Sequence, residues 1–331
     1  MNECIFPLDN VEAFIRNNKV HIERTEFGLK WNSGPGVVEI NIQPLNLKLN
    51  DGRVVAEQVI LSYSSPTIAQ FDSEYVSELQ KFTLLSTFIP STSASKGILV
   101  SKVGIFDTDK VAAEKIYAPL IAQEASIIAW HCKTLVNGIS SFNSDLSPLT
   151  STDKLPPYSQ SEYEVLKELL ESLGHFTSID EYGITTEFPW DLGAVSRSFK
   201  DGLTKKELLK AGYDSEFVEL AGGNTALFEL RVSNHPMYGS GILSLLKLPL
   251  NLEDNDAVNL SNRLNYWELM SPELPPLFGS WSPSKGTVVF VSFIPTQFCI
   301  SVPGFIHNIT MWAKIRALNV RAVLKDSEVL H

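Results

Sequence analysis

Hydrophobic and polar residues alternate along several short stretches of the chain, and each of these stretches predicts a β-strand. After the turn signal at 33–36, Val38, Ile40 and Ile42 alternate with more polar neighbours, which is typical of a strand with one buried face. The first part of the chain has predicted strands at 21–31, 37–44, 54–63 and 96–106, and a further short one near Phe88 and Ile89.

Apolar residues at helical spacing predict the helices of the same part. Capping residues at 9–10 precede a first helix, and those at 72–73 precede a second helix that runs to about Leu85. A long apolar helix is expected from about 110 to 136. Pro119 should kink or break it, because proline removes a backbone donor inside a helix.

The second part of the chain repeats this order. Ser161 and Glu164 form a capping-box pattern at the start of a helix. There follow predicted strands through Phe188 to Trp190, at 226–232 and at 242–250, a helix capped by Asp254 or Asp256, a hairpin of 277–281 with 287–294, and a closing helix over 303–324. Both parts therefore read helix, three strands, helix, two strands, helix.

Two short phrases occur in both parts and indicate an internal duplication. Thr25-Glu26-Phe27 recurs as Thr186-Glu187-Phe188, and the segment at 93–100 recurs in similar form at 282–289. The two offsets are 161 and 189 positions. An insertion near 199–215, which the first part lacks, can absorb the difference of 28 positions.

The fold class that follows is α+β, with two similar domains that each have an antiparallel sheet and helices packed on one face. A stretch rich in Ser, Thr, Asp and Pro at 140–160 has the composition of a linker. The predicted domains are therefore 1–139 and 161–331, which agrees with the domain number expected for 331 residues.

Charge and composition narrow the classes of partner. The net charge is −11, which disfavours nucleic acid and anionic membrane as partners and is compatible with binding of basic segments. The first residues lack the basic and apolar regions of a secretory signal, and no apolar run approaches the length of a membrane span. We expect a cytoplasmic protein in which Cys4, Cys132 and Cys299 are free thiols.

The second part resembles the YbjN-like group within the type III secretion chaperone-like fold. The residues that carry the resemblance are Leu264-Asn265 in a helix that ends before Pro272, then Leu277-Phe278-Gly279, Val288-Val289-Phe290 and a final long helix, preceded by the turn at 180–183. It covers about 161–324 and, more faintly, 9–136. It is a likeness of element order and apolar positions, without a fingerprint motif.

The resemblance implies small α+β domains that pair with each other, several of which bind extended polypeptide segments of partner proteins. It supplies no catalytic residues. This chain departs from the pattern because it carries two units and an insertion at 199–215. The two halves could therefore pair as a pseudo-dimer within one chain, in place of the usual homodimer.

The candidates for catalysis or metal binding have simpler explanations. Ser240 lies near His235, but the Met237–Gly241 segment is not a nucleophile-elbow motif and is expected to be a turn between strands. The acidic pairs Asp107/Asp109 and Asp254/Asp256 precede helices and are expected to cap them. Cys132 beside His131 is the least poor catalytic pair, although adjacent helical residues point in different directions.

The sequence therefore predicts a non-catalytic, cytoplasmic protein-binding or chaperone-like protein with no cofactor, no metal site and no catalytic residues. Its expected partner is a protein or peptide segment. Trp267, Phe278, Trp281 and Trp312 either pack in the core or line a binding groove. Two alternatives stay open, namely an enzyme with a dispersed active site between the two halves and a structural subunit of an assembly.

Overall fold

The computed structural model describes residues 5–17, 21–34, 36–45, 56–65, 87–89, 97–106, 110–136, 160–173, 175–180, 183–189, 225–235, 239–271, 278–295 and 305–326. We call the described residues from 5 to 136 the first half and those from 160 to 326 the second half. Several predictions fall outside the described residues: the helix at 72–85, the linker at 140–160 except its last residue, which begins a helix, the insertion at 199–215 and the pair Asp107/Asp109.

The first half begins with helix α1 and ends with helix α2. Its elements are α1 (Leu8–Arg16), β1 (Glu23–Arg24), β2 (Gly28–Ser33), β3 (Gly36–Pro44), β4 (Ala56–Ser65), β5 (Thr87–Ile89), β6 (Gly97–Phe106) and α2 (Ala118–Val136). A helical turn (Lys110–Ala112) and a π-helical turn (Ala113–Tyr117) lead directly into α2. The wider turn lies just before Pro119, where a regular helix would lose a hydrogen bond.

Within the described residues, the second half follows the order of the first half and also has a helix between its fourth and fifth strands. Its elements are α3 (Gln160–Ser172), β7 (Thr177–Asp180), β8 (Gly183–Pro189), β9 (Thr225–His235), β10 (Gly239–Lys247), α4 (Asp254–Met270), β11 (Ser280–Ser284), β12 (Thr287–Pro295) and α5 (Phe305–Asp326). The predicted hairpin before the closing helix is confirmed, with its turn at Lys285 and Gly286.

Both halves form an antiparallel sheet with the same connectivity. The strand orders are β1-β2-β3-β4-β6-β5 and β7-β8-β9-β10-β12-β11. The predicted fold class, α+β with two antiparallel sheets, is confirmed. The prediction of three strands in the first part of each half is short by one, because Glu23–Arg24 and Thr177–Asp180 pair with β2 and β8 as the additional short strands β1 and β7.

One of the two repeated phrases does not mark equivalent positions. Thr25–Phe27 connects β1 to β2, whereas Thr186–Phe188 lies inside β8. The first residues of β2 and β8, Gly28 and Gly183, are the equivalent pair. A Cβ atom on either would lie 1.7 Å from the carbonyl oxygen of Ile40 or 1.9 Å from that of Leu230, so both need glycine for close strand approach.

The offset between the equivalent residues Gly28 and Gly183 shows where the second half has its additional residues. Gly28 and Gly183 are 155 positions apart, whereas Gly97 and Gly286 are 189 apart. The difference matches one connection: β2 and β3 are joined across 34–35, while β8 and β9 are joined across 190–224. The predicted insertion therefore falls between β8 and β9.

Alternate residues of the strands build the core. Val38, Ile40 and Ile42 are buried while their neighbours on β3 are more exposed, as the alternation predicts. The buried apolar residues of both halves belong to one continuous cluster. No helix within the described residues is long and apolar enough to cross a membrane.

Three helix starts differ from the capping predictions. Helix α1 begins at Leu8 after Pro7, so Asp9 lies in its first turn. Helix α4 begins at Asp254 after Glu253, which makes no side-chain cap. Ser161 is the second residue of α3. Asp9, Asp254 and Asp256 still favour their helices, because first-turn carboxylates interact well with the helix dipole.

Candidate functional site

A buried lysine of the first half joins the two halves. Lys102 lies on the face of β6 opposite to the core residue Val103, and its residue is only 1% exposed. Its ammonium donates hydrogen bonds to the carbonyl oxygens of Glu268, of Leu269 at 3.2 Å and of Ser271 at 2.7 Å. These carbonyls end helix α4, where intrahelical donors run out and the dipole favours a cation.

Burial changes the acidity of this lysine. Loss of hydration lowers the pKa of Lys102 to about 8, with the nearby charge of Glu268 opposing the change and that of Arg316 adding to it. A lowered lysine pKa can mark a reactive amine, but this ammonium is enclosed by helix-end carbonyls. Its geometry suits a structural bond between the halves.

Glu268, whose carbonyl accepts from Lys102, also forms a buried ion pair through its side chain. Arg316 Nε lies 2.7 Å and 2.9 Å from the two carboxylate oxygens of Glu268. Trp281 Nε1 donates to the same carboxylate at 2.6 Å, and the guanidinium lies 3.7 Å from the centre of the Phe290 ring. Each charged group thus has a matched partner, as buried ions require.

Strands β5 and β11, which each form one edge of a sheet, both lie against protein at the junction of the two halves. The Asn265 side chain on α4 accepts a hydrogen bond from Trp281 N–H at 2.7 Å and donates one to Trp281 C=O at 2.9 Å, which satisfies edge groups of β11. The Thr87 hydroxyl on β5 donates to the carbonyl of Gly279. Two of the four sheet edges in the described chain therefore face protein.

A small cavity separates α5 from the second sheet. Its volume is about 20 Å³, and its polar lining comes from Ser244, Ser292 and Arg316. The apolar lining includes Phe290 and Trp312. A space of this size holds about one water molecule. It cannot take a substrate without movement of α5.

A second buried polar pair connects α5 to the start of β7. Lys314 Nζ lies 2.7 Å from His175 Nε2, and both residues are buried. Burial, with Lys314 adding to it, lowers the pKa of His175 to about 4, so the imidazole is neutral and accepts the hydrogen bond. Burial also lowers the pKa of Lys314. The His175 ring stacks edge-on against Phe188 at 5.4 Å.

The outer edge of the first sheet carries charged side chains. Strand β1 has two residues, and Arg24 forms ion pairs with Asp9 at 2.6 Å and Glu12 at 3.4 Å on helix α1. Arg16 donates to the carbonyl of Ile22 at 3.2 Å. A short strand with charged neighbours is a common protection against unwanted pairing.

The outer edge of the second sheet, β7, is different. Glu187 N–H donates to Phe176 C=O at 3.0 Å, so hydrogen-bonded positions on β7 alternate from Phe176 onwards. The backbone groups of Thr177 and Ile179 therefore point away from β8. Phe176 is 70% exposed, and Val165 on the adjoining helix α3 is 65% exposed. Thr177 is itself buried, at 5% exposed, so the accessible part of this edge is Phe176 together with the partly exposed Ile179.

The residues considered from sequence do not form a common site. Ser240 is an exposed residue of β10, and His235 pairs with Gly239 across the β9–β10 hairpin. Asp254 and Asp256 are exposed in the first turn of α4. His131 and Cys132 lie in α2, but their side chains are outside the description. Across the described side chains, no three metal-binding groups come together.

The aromatic residues pack mainly inside. Trp281 and Phe278 are buried, while Trp267 and Trp312 are partly buried against the same core. The Tyr117 ring of the first half lies 6.2 Å from that of Phe278 and 6.3 Å from that of Trp312. The sequence left core and groove open as roles for these residues, and core packing accounts for their contacts.

Sequence reasoning missed the polar residues that the structure brings together, namely Lys102, His175, Glu268, Lys314 and Arg316. One signal was present: Arg316 is spaced four residues from Trp312 and Val320, on an apolar face of the closing helix. Their partners were not readable, because they come from distant parts of the chain.

No family model, no curated protein and no solved structure matches this chain. The resemblance to the YbjN-like group therefore stays a prediction, and the functional argument depends on the geometry above.

Proposed function

We propose that this chain is a non-catalytic cytoplasmic protein that binds an extended segment of another protein. The observation that carries the proposal is the contrast between the sheet edges. β5 and β11 lie at the junction of the halves, and β1 is held by ion pairs to α1. β7 is the fourth edge: Thr177 on it is buried, Ile179 is partly exposed, and the preceding Phe176 is 70% exposed. An edge of this kind can accept another strand.

The junction supports a rigid platform for such binding. Lys102 and Thr87 of the first half bond to backbone carbonyls of the second half. The two halves would then act as a pseudo-dimer within one chain, in line with the YbjN-like resemblance. A rigid sheet edge loses less conformational freedom on binding than a mobile one, which favours affinity.

A selection experiment with the full chain tests the proposal. The purified protein is presented to a random-peptide display library, and bound peptides are compared with those recovered on an unrelated acidic protein of similar size. We expect enriched peptides that bind the full chain in solution and compete with one another for it. Failure to enrich any specific peptide, at low and at physiological salt, would contradict the proposal.

The enzyme alternative has one specific observation in its favour, the His175–Lys314 pair with lowered pKa values. A nucleophilic amine must be reachable by substrate. Brief acetylation of the native protein at pH 8, mapped by mass spectrometry, compares Lys314 with the exposed Lys285. Labelling of Lys314 as fast as Lys285 favours catalysis, whereas strong protection favours a structural pair.

A further inference from the structure

We propose that α5 carries a self-association surface, an uncharged row of side chains through which two copies of this chain pair helix to helix as a weak, parallel dimer. The surface lies on a different element from the β7 edge and from the contacts that join the two halves. The inference therefore goes beyond the proposed function and does not depend on it.

Four residues of α5 form one row along the side of the helix that faces away from the sheet. We call Asn308, Met311, Ile315 and Leu318 the outward row. They are spaced by three, four and three positions, which places them above one another on a helix. Asn308 is exposed, Ile315 is 40% exposed, and Met311 and Leu318 are partly exposed. The row is thus an accessible and mainly apolar stripe.

The other sides of α5 are occupied by contacts within the chain. Ala313 is buried in the core against the second sheet. On one flank Lys314 lies 2.7 Å from His175, and on the other the Trp312 ring lies 6.3 Å from that of Tyr117. Because successive helical residues are rotated by about 100°, these contacts leave the side of the outward row for an external partner.

The outward row has no charged neighbour among the described side chains of α5. The charged residues described on this helix, Lys314, Arg316 and Arg321, are all buried. In paired helices, charges beside the apolar seam set the choice of partner, and like charges there repel an identical helix. Their absence lets two copies approach along the row, although the net charge of −11 opposes association in general.

The pattern of the row fits a second copy of this chain. In heptad notation Asn308 and Ile315 occupy a positions, and Met311 and Leu318 occupy d positions. A single asparagine at an a position fixes the register of a helix pair at some cost in stability. In a parallel two-fold pair, Asn308 meets its own counterpart and the two amides can hydrogen-bond. An apolar partner leaves this amide without a bond, so an identical helix fits better.

The size of the surface predicts a weak dimer. Helix α5 has 22 residues, which corresponds to a length of about 33 Å. One helix pair of this length buries less than the roughly 1,200 Å² of a standard stable interface, so we expect a Kd on the order of 10–100 μM. A lipid surface fits less well, because helices that lie on membranes carry Lys and Arg on their exposed polar face.

Sedimentation equilibrium with the full chain tests the inference. Protein concentrations from about 1 to about 300 μM bracket the expected Kd, and we expect a monomer–dimer equilibrium. A rise in NaCl from about 50 to about 500 mM should tighten the dimer several-fold, because salt screens the repulsion between two acidic chains and the row itself is uncharged. A dimer that salt weakens would be held by charged contacts, which contradicts the inference.

Matched variants locate the surface. Ile315→Glu places a charge in the seam and should weaken the dimer at least about tenfold. Val111→Glu adds the same charge at a 59% exposed residue of the first half and should change the Kd by less than about twofold. Both side chains are exposed, so we expect unchanged circular dichroism and unfolding midpoints.

Two changes at Asn308 test the register. Asn308→Val removes the polar a position and should tighten the dimer several-fold or produce larger oligomers, whereas Ser126→Val, at an exposed position of α2, should do neither. Under mild oxidation Asn308→Cys should form a disulfide-linked dimer that the parent chain and Ser126→Cys do not form, because parallel pairing brings the two thiols together.

The outcomes decide the inference in either direction. Sedimentation as a monomer over the whole concentration range overturns it. Equal weakening by Ile315→Glu and Val111→Glu means that the dimer forms elsewhere on the surface. A dimer that Asn308→Val leaves unchanged, or that Asn308→Cys does not cross-link, does not pair along the outward row in parallel, and the inference is then wrong.

Discussion

The two halves share one strand order but place their charges differently. In the first half, the ion pairs of Arg24 with Asp9 and Glu12 lie on the surface beside β1, and the Arg24 side chain is 55% exposed. In the second half, Glu268 and Arg316 are paired inside the fold, and Lys314 meets His175 there. The outer strand β7 of that half also has a surface ion pair, between Asp180 and Arg231 of β9 at 3.3 Å.

The comparison shows two roles for charged pairs: exposed pairs can protect a strand edge, whereas buried pairs affect the stability of the fold. Exposed ion pairs contribute little free energy because water solvates each partner nearly as well. They can still cover a strand edge and block pairing. Buried charges have no such freedom, since removal of one partner leaves the other without compensation. The first half therefore uses charge to close an edge, whereas the second half uses it to fix the packing of α4, α5 and β11.

The largest effect is expected from loss of the buried carboxylate. Glu268→Gln leaves Arg316 buried without its counter-ion, which should lower the free energy of unfolding by about 3–5 kcal/mol. The matched surface change Asp9→Asn, at an 80% exposed side chain, should cost less than about 1 kcal/mol. Urea unfolding of both variants measures the difference. Equal small costs would show that burial does not distinguish the two halves.

Acidification should weaken the second half through His175. The pKa of His175 is about 4 in the folded chain and 6.5 in its ordinary, unfolded state. Between these values the unfolded chain binds more protons, so stability falls as pH decreases from about 6.5 to about 4, by up to about 3 kcal/mol. Unfolding curves at several pH values measure this loss. His175→Gln should flatten the dependence, whereas the exposed His21→Gln should not.

Substitution of Lys102 should have an intermediate effect on the free energy of unfolding, and titration of Lys102 should change stability in a second pH range. Lys102→Met leaves the end of α4 without its donor, which should cost about 1–3 kcal/mol at neutral pH. The folded pKa of about 8 lies below the unfolded 10.5, so the wild-type chain should gain stability as pH rises through this range.

Calorimetry at pH 8 to 10 measures the Lys102 effect. The Met variant should lack the gain, while the exposed Lys285→Met should retain it. A variant that keeps the wild-type pH dependence would mean that Lys102 is not the titrating group.

The smallest change in stability is expected at β1. Arg24→Ala removes two exposed ion pairs and should alter the free energy of unfolding by less than about 1 kcal/mol, and even less in high salt. The same variant uncovers β1, so self-association measured by analytical ultracentrifugation should rise. A cost above about 2 kcal/mol without any association would assign Arg24 a stabilising role, not a protective one.

The sequence was a good guide to local structure and a poor one to the polar contacts. Alternation located β3 and its buried residues, and turn signals located the β11–β12 hairpin. The Thr-Glu-Phe repeat misled, because three residues carry too little information to align two folds, and the glycines needed for strand approach align them better. Phe176 could not be assigned to an edge, since strand order depends on the whole sheet.

What the sequence determined by itself was the succession of the helices and longer strands and the buried face of β3, because side-chain periods of two and 3.6 residues are local properties. Tertiary structure alone decided which charges are buried and which sheet edges meet at the junction of the halves. Lys102 meets the carbonyl of Glu268 across 166 positions of chain, and His175 meets Lys314 across 139. Such meetings depend on how two sheets and their helices pack, and no local pattern records them.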